Sequence, residues 1–298
     1  MKYRVFFVIL LVSYLGLMPP MTEALLNRPV SVKAGRMPSG EVLKVTLGEY
    51  RTLVADWMIV RTLFYFGTIF ELNDHNVTSR PEYVQMYNNL TQALKLDPYN
   101  LDAYYFSQAI FTWDVGKIVE VNRLLDYGMK YRTWDWQLPF WAGFNSAYFL
   151  KEYNSAAIYF KKAAELSKNS LFTNLAARYF HESGQDELGI LFLDTMMQSA
   201  KDKNVRDLYE IRKNALIAIS QIKKAAYEYE KKFGNTPKIL DNLVESGFLT
   251  KIPEDPYGGV FYFDEQGGIQ TTSKLTFMGE NAMPASAPNA MPTKKGQR

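Results

Sequence analysis

The stretch that decides the fold is Phe140–Leu166, FWAGFNSAYFLKEYNSAAIYFKKAAEL. Apolar residues recur in it at three- and four-residue spacing, the period of an α-helix with one buried face. The polar break at Lys151-Glu152-Tyr153 divides it into two short amphipathic helices. Ala156, Phe160 and Ala163 fall on one face of the second helix. Small residues there let a neighbouring backbone come close, while the phenylalanine fills the space between them.

The same marker recurs on both sides. Taking the small residue of the second helix as a register point gives Ala93, Gly128, Ala163 and, with a larger side chain, Met196, at intervals of 35, 35 and 33 residues. Pro98, after Leu94-Lys95-Leu96-Asp97, stands where a helix must end, because proline lacks the N–H and disfavours helix in the residue before it. The next pair is expected over 102–113 and 117–131, with Val121, Leu125 and Gly128 on the packing face. The last is expected over 173–183 and 187–200, around a turn at Gly184-Gln185-Asp186 and with Gly189, Leu193 and Met196 as markers.

In period, in the A-x3-F spacing and in the terminal proline, this pattern resembles the tetratricopeptide (TPR) repeat, whose period is about 34 residues. The resemblance implies a mainly α fold, a solenoid of antiparallel helix pairs over 42–200. It also implies a concave face lined by the first helix of each pair. Carried onto this chain, that face takes Phe106, Ile110 and Trp113 from one pair, Trp141, Asn145, Tyr148 and Phe149 from the next, and Asn174, Arg178 and His181 from the last. One end is aromatic and the other polar. The lysines with which some TPR domains clamp a C-terminal carboxylate are missing.

Upstream, Lys2 and Arg4 precede an apolar run from Val5 to Met18, then Pro19-Pro20 and Thr22-Glu23-Ala24. A helix over that run is about 21 Å long, short of the roughly 30 Å hydrocarbon core. It suits a signal peptide cleaved near Ala24, with the prolines ending the helix, whereas continuation to Leu26 makes an uncleaved anchor. Either outcome exports the body of the chain. Leu26–Glu41 reads as a connector with a turn at Pro38-Ser39-Gly40. Val42–Phe70 reads as an aromatic-rich packing helix interrupted near its end by Gly67. Glu71–Pro81 reads as a loop, with His75 beside Glu71 and Asp74 as solvated residues rather than metal ligands.

Beyond Asn204 the pattern changes. Leu208, Ile211, Ala215, Ile219, Ile222, Ala226 and Tyr229 trace one stripe along a helix of nearly thirty residues, stopped by Gly234-Asn235. A short helix capped by Thr236, with Pro237 first and Gly247 as its stop, is expected after it. Then come a double-proline turn and a β-hairpin from Val260–Phe263 and Ile269–Ser273. This order, and above all Pro253-Glu254-Asp255-Pro256-Tyr257-Gly258-Gly259, resembles the globular part of type II secretion pseudopilins and type IV pilins. The likeness covers 204–275. An intervening helical array separates it from the N-terminal apolar helix that a polymerising pilin needs. Asp264 and Glu265 do not suffice for the calcium site of some pseudopilins. Residues 278–298, with Pro284, Pro288 and Pro292, read as a disordered tail.

Charge and composition limit what the chain can do. A formal charge of +3 with Lys and Arg interspersed among Asp and Glu leaves no electrostatic footprint for nucleic acid. The absence of cysteine removes disulfides, thiolate metal sites and a thiol nucleophile. There is no G-x-S-x-G, P-loop or H-E-x-x-H. Together with the two resemblances, which imply a partner groove and a place beside a pilus, secretion or transport assembly, the expectation is a non-enzymatic adaptor without cofactor or metal, holding a protein partner on the outer side of a bacterial membrane. A periplasmic peptide- or glycan-binding module is the alternative.

Overall fold

The computed structural model describes residues 2–26, 33–74, 81–264 and 267–275. It is mainly helical with one small antiparallel sheet, and it divides into two compact units at Asp97/Pro98.

The first unit holds α1 (Lys2–Leu26), α2 (Gly40–Leu47), α3 (Arg51–Asp74) and α4 (Tyr83–Leu96). Helix α1 runs through Pro19 and Pro20 instead of ending there, and its side chains from Ile9 to Glu23 are all exposed. At about 1.5 Å per residue, its 25 residues exceed the thickness of a hydrocarbon core. The packing helix expected over Val42–Phe70 is two elements, α2 and α3, joined by a 3-10 turn at Gly48–Tyr50. Gly67 does not interrupt α3. One glycine in a helix costs about 1 kcal/mol, whereas Met58, Ile59, Tyr65 and Ile69 on the same helix are buried. They pack on α4, whose Met86, Leu90, Ala93 and Leu94 are also buried. Glu71 and Asp74 belong to α3 rather than to a loop, and His75 lies outside the described residues. The stretch Gly40–Ile69 is long and apolar enough to cross a membrane by length and composition alone.

The connector is held down locally. Asn89 donates to the Gly35 carbonyl at 3.0 Å, and the Gly40 N–H to Gln92 at 2.7 Å. Ser39 caps α2 through the Val42 N–H.

The second unit is a run of consecutive helices: α5 (Leu101–Trp113), α6 (Ile118–Met129), α7 (Gln137–Asn145), α8 (Tyr153–Ser167), α9 (Ser170–Glu182), α10 (Asp186–Ser199) and the long α11 (Lys203–Phe233). Each packs on the next, from α5 to α11. Helix α7 ends in a π-helical turn, Ser146–Leu150, closed by Lys151 in the left-handed region. Asn100, Asn169 and Asp202 cap the N-termini of α5, α9 and α11 by accepting backbone N–H groups.

The marker residues sit at close helix contacts. Ala163 is fully buried, as are Ala156 and Phe160 around it. At Gly128 a Cβ would meet the Tyr104 ring at 2.6 Å and Leu138 at 2.8 Å, so only glycine lets α6 take this place beside them.

After α11 the chain forms α12 (Asp241–Glu245) and the hairpin β1 (Phe261–Phe263) and β2 (Ile269–Thr271), paired Phe261 to Thr271 and Phe263 to Ile269. The short helix begins at Asp241, not at Pro237. The Asn242 side chain accepts from the Ile239 N–H, and Leu240 and Leu243 are buried. Leu240, Leu243, Tyr257, Phe261, Ile269 and Leu275 share one apolar cluster with α8, α9, α10 and α11. The core of this part and that of the preceding helices are thus continuous.

Candidate functional site

Six aromatic side chains of α5, α7 and the π turn make up an aromatic face. Trp113 lies 5.0 Å from Phe149, 6.2 Å from Phe144 and 6.3 Å from Tyr148 between ring centroids. Phe144 stacks on Tyr148 at 5.4 Å, and Tyr105 meets Trp141 at 5.9 Å. Most of this area is open to solvent: Tyr105 is 61%, Trp113 58% and Tyr148 56% exposed. Ile110, half-buried, lies on the same helix. The Lys151 ammonium sits 5.4 Å over the Tyr148 ring, close enough for a cation–π contact.

Two of the residues expected on this face are elsewhere. Asn145 is 0% exposed and Phe106 is buried. At 100° per residue, Trp141, Phe144 and Tyr148 form one stripe of α7, while Leu138, Ala142 and Asn145 form another, which turns inward. On α5 Tyr105 and Trp113 are exposed and Phe106 is buried. Tyr105 and Phe144 join the face unpredicted; for Phe144 the available signal was its spacing of three residues from Trp141 and four from Tyr148.

Asn145 instead completes a buried polar seam through three helices. Its amide nitrogen donates to Gln108 of α5 and Asn122 of α6, both at 2.8 Å, and its oxygen accepts from Gln108 at 2.9 Å. Asn122 donates to Ser146 at 3.3 Å, and Thr112 to Gln108 at 3.3 Å. The reciprocal amide pair satisfies groups that would be costly to bury alone.

The polar end of the predicted set lies on α9. Asn174 is half-buried and Arg178 exposed. Arg178 and His181 line a recess of about 220 Å³ with Glu182, and Tyr262, Asp264, Gln270, Lys274 and Leu275 form its other side. This part of α9 therefore faces the hairpin instead of extending the open face. His181 Nδ1 lies 2.7 Å from the buried carboxylate of Asp186, which also accepts from Lys223 at 2.5 Å. Burial pushes the Asp186 carboxyl up, but the hydrogen bonds from His181 and Lys223 outweigh it and hold it below the usual carboxylate range.

The Asp-Pro-Tyr-Gly-Gly corner is structural. Asp255, buried, accepts from the Tyr257 N–H at 2.9 Å, from the Ser273 hydroxyl at 2.6 Å and from the Thr271 hydroxyl. A Cβ on Gly259 would lie 2.7 Å from the Ser273 nitrogen. The corner rests on α11 through Arg212, whose guanidinium lies 5.1 Å over the Tyr257 ring. Arg212 is 7% exposed, its Nε and Nη1 find no hydrogen-bond partner, and burial lowers its pKa. Asp264 is spent on the hairpin turn, accepting from the Gly268 N–H at 2.7 Å; Glu265 lies outside the described residues. No three metal-ligating side chains come together among the described residues.

No family model and no curated protein matches this chain.

Proposed function

We propose that this chain is a non-enzymatic interaction scaffold that grips a protein partner through the aromatic face of α5 and α7. The observation that carries the reading is the exposure of Trp113 and Tyr148 within one group of mutually contacting rings, with the exposed Tyr105 against Trp141 on the same two helices. Large aromatics in contact with one another lose little side-chain entropy on binding and supply the anchors typical of protein interfaces. The buried amide seam beneath them joins α5, α6 and α7, so the surface is held by its own foundation.

In this reading the helix pairs belong to a TPR-like solenoid, supported by the register of buried marker residues from Ala93 to Met196. The pseudopilin-like order of long helix, corner and hairpin supports a role beside a type IV pilus, type II secretion or related transport assembly. The apolar, exposed α1 supports presentation outside the cytoplasm, with the helix as anchor or as cleaved leader. The partner is a component of that envelope assembly.

The test is crosslinking of the full chain in native membranes, followed by identification of the bound proteins. Pilus or secretion components should be recovered, and Trp113→Ala/Tyr148→Ala should lose them. Recovery of none, or recovery indifferent to the double substitution, would remove the proposal.

A further inference from the structure

In the first unit, one side of α3 is apolar and uncovered. Leu53, Trp57, Val60 and Phe64 follow one another at four, three and four residues, so they form a single stripe about 16 Å long. All four are exposed, Phe64 by 73%, and Tyr50, three residues before Leu53, extends the stripe with another exposed ring. The charged residues of the helix flank it. At 100° per residue Asp56 falls on one edge and Arg61 on the other, where the Arg61 guanidinium lies 5.4 Å over the Trp57 ring. Of the most apolar part of Gly40–Ile69 only 33% is buried, whereas the core helix of a soluble protein is mostly buried.

The occupant follows from α1, which belongs to the same unit, is exposed from Ile9 to Glu23 and is long enough to cross a hydrocarbon core. As an anchor, α1 keeps Lys2 and Arg4 on the cytoplasmic side, so Leu26 leaves the bilayer on the side of the body. Ala34 is eight residues further, at most about 29 Å away. The segment that starts there runs along the edge of the stripe. The Arg61 guanidinium fills the space that a Cβ on Gly35 would need and donates to Met37 Sδ at 3.7 Å, while the Ala34 N–H donates to Glu82 at 3.2 Å. A bilayer also suits this surface better than a protein does. A strip one side chain wide falls short of the roughly 800 Å² per partner of a standard protein interface. Lipid needs no matching shape, and tryptophan and tyrosine beside arginine are the composition of a helix lying in the membrane interface. Helix α3 does not cross, because α4, packed on its other side, carries Asn88, Gln92 and the ion pair of Lys95 with Glu41 at 2.9 Å, which would be drawn into the hydrocarbon with it.

We propose that α3 beds Leu53, Trp57, Val60 and Phe64 roughly 5–10 Å into the surface of the phospholipid bilayer that α1 crosses, with Arg61 at the level of the headgroups. This rests on the reading of α1 as an uncleaved anchor. It adds that the first unit lies against the membrane instead of hanging from a free tether.

The chain has no cysteine, so a nitroxide label can be attached at one chosen position at a time. The full chain is reconstituted in vesicles of phosphatidylethanolamine and phosphatidylglycerol, labelled through Phe64→Cys, Leu15→Cys or, as the aqueous reference, Asn88→Cys. At Phe64 collisions with a water-soluble nickel chelate should be lost and collisions with oxygen gained, at a depth of roughly 5–10 Å. Adding Leu53→Ser, Trp57→Ser and Val60→Ser should return the Phe64 label to the collision profile of Asn88, with far-UV circular dichroism unchanged because these side chains lie outside the core. Should that triple variant unfold, the depth at Phe64 in the otherwise natural chain decides alone. A Phe64 label as open to nickel as the Asn88 label overturns the inference. So does one that stays in lipid in the folded triple variant, and so does dipolar broadening between Phe64 labels, which makes the occupant a second copy. The Leu15 label separates this inference from the reading it rests on. Leu15 in hydrocarbon with Phe64 in water keeps the anchor and sinks the stripe, whereas Phe64 in lipid with Leu15 in water keeps the stripe and sinks the anchor. Partner recovery through Trp113 and Tyr148 is measured independently of both.

Discussion

Of the polar side chains buried in the second unit, Asn145 and Arg212 are treated in opposite ways. Asn145 enters the seam between α5, α6 and α7 with its amide bonded on both sides by groups that reciprocate. Arg212 enters the junction between α11 and the Asp255 corner with two of its nitrogens unpaired and an aromatic ring as its main neighbour. The first is a closed network, in which every member depends on the others. The second is a charge placed where the corner has already satisfied itself, since Asp255 is taken up by Tyr257, Thr271 and Ser273. Buried polarity therefore stabilises one junction and weighs on the other.

The sharpest way to break this contrast is Asn145→Ala. It leaves the buried Gln108 with only its bond from Thr112 and Asn122 with only its bond to Ser146, and should lower stability by about 3 kcal/mol, read from the urea midpoint. A loss below about 1 kcal/mol would mean the seam is not the closed network described.

Asp186→Asn comes next. It removes the charge that holds His181 and Lys223 to one buried point, and should cost about 2 kcal/mol at neutral pH. Because the folded carboxyl titrates below its unfolded value of about 3.9, this contribution is complete above that pH. It is lost as the pH falls through the lower folded pKa. Urea titrations from pH 7 down to pH 2 should show the natural chain and the variant converging at the acid end.

Arg212→Met tests the other side of the comparison. Replacing an unpaired buried guanidinium by an apolar chain of similar length should raise stability by about 1 kcal/mol, the lost contact with Tyr257 notwithstanding. A clear loss would show that Arg212 holds the corner in place. Smallest in stability is Trp113→Ala, expected within about 0.5 kcal/mol because the side chain is mostly outside the core. Its effect should appear in partner affinity, where loss of an aromatic anchor costs about 2 kcal/mol or more, measured by titration with the crosslinked partner once identified.

Much of the helical order was legible because periodicity and punctuation are local. Asn100, Asn169 and Asp202 stand where helices start, and Gly184 and Gly234 where they stop, within a few residues of the expected ends. The errors are also physical. Gly67 and the Pro19-Pro20 pair read as interruptions and are not, since a local preference of a few kcal/mol yields to the rest of the helix. Asn145 read as a groove residue because it shares a helix with Trp141 and Tyr148; a displacement of one position around the helix changes solvent for core. His181 and Arg178 read as one end of the open face, and the hairpin that meets them lies some eighty residues away in the chain.

The amino-acid sequence alone determined where helices begin and end, which faces are apolar, and where a small residue or a sharp corner is required, because those depend on backbone preference and on neighbours within a turn or two. Only the tertiary structure decided that the α11 and hairpin region completes the core of the helices before it, that Asn145 bonds inward, and that α5 and α7 leave their aromatics uncovered. Those outcomes depend on which distant surfaces meet, and side chains far apart in the chain compete for the same buried volume.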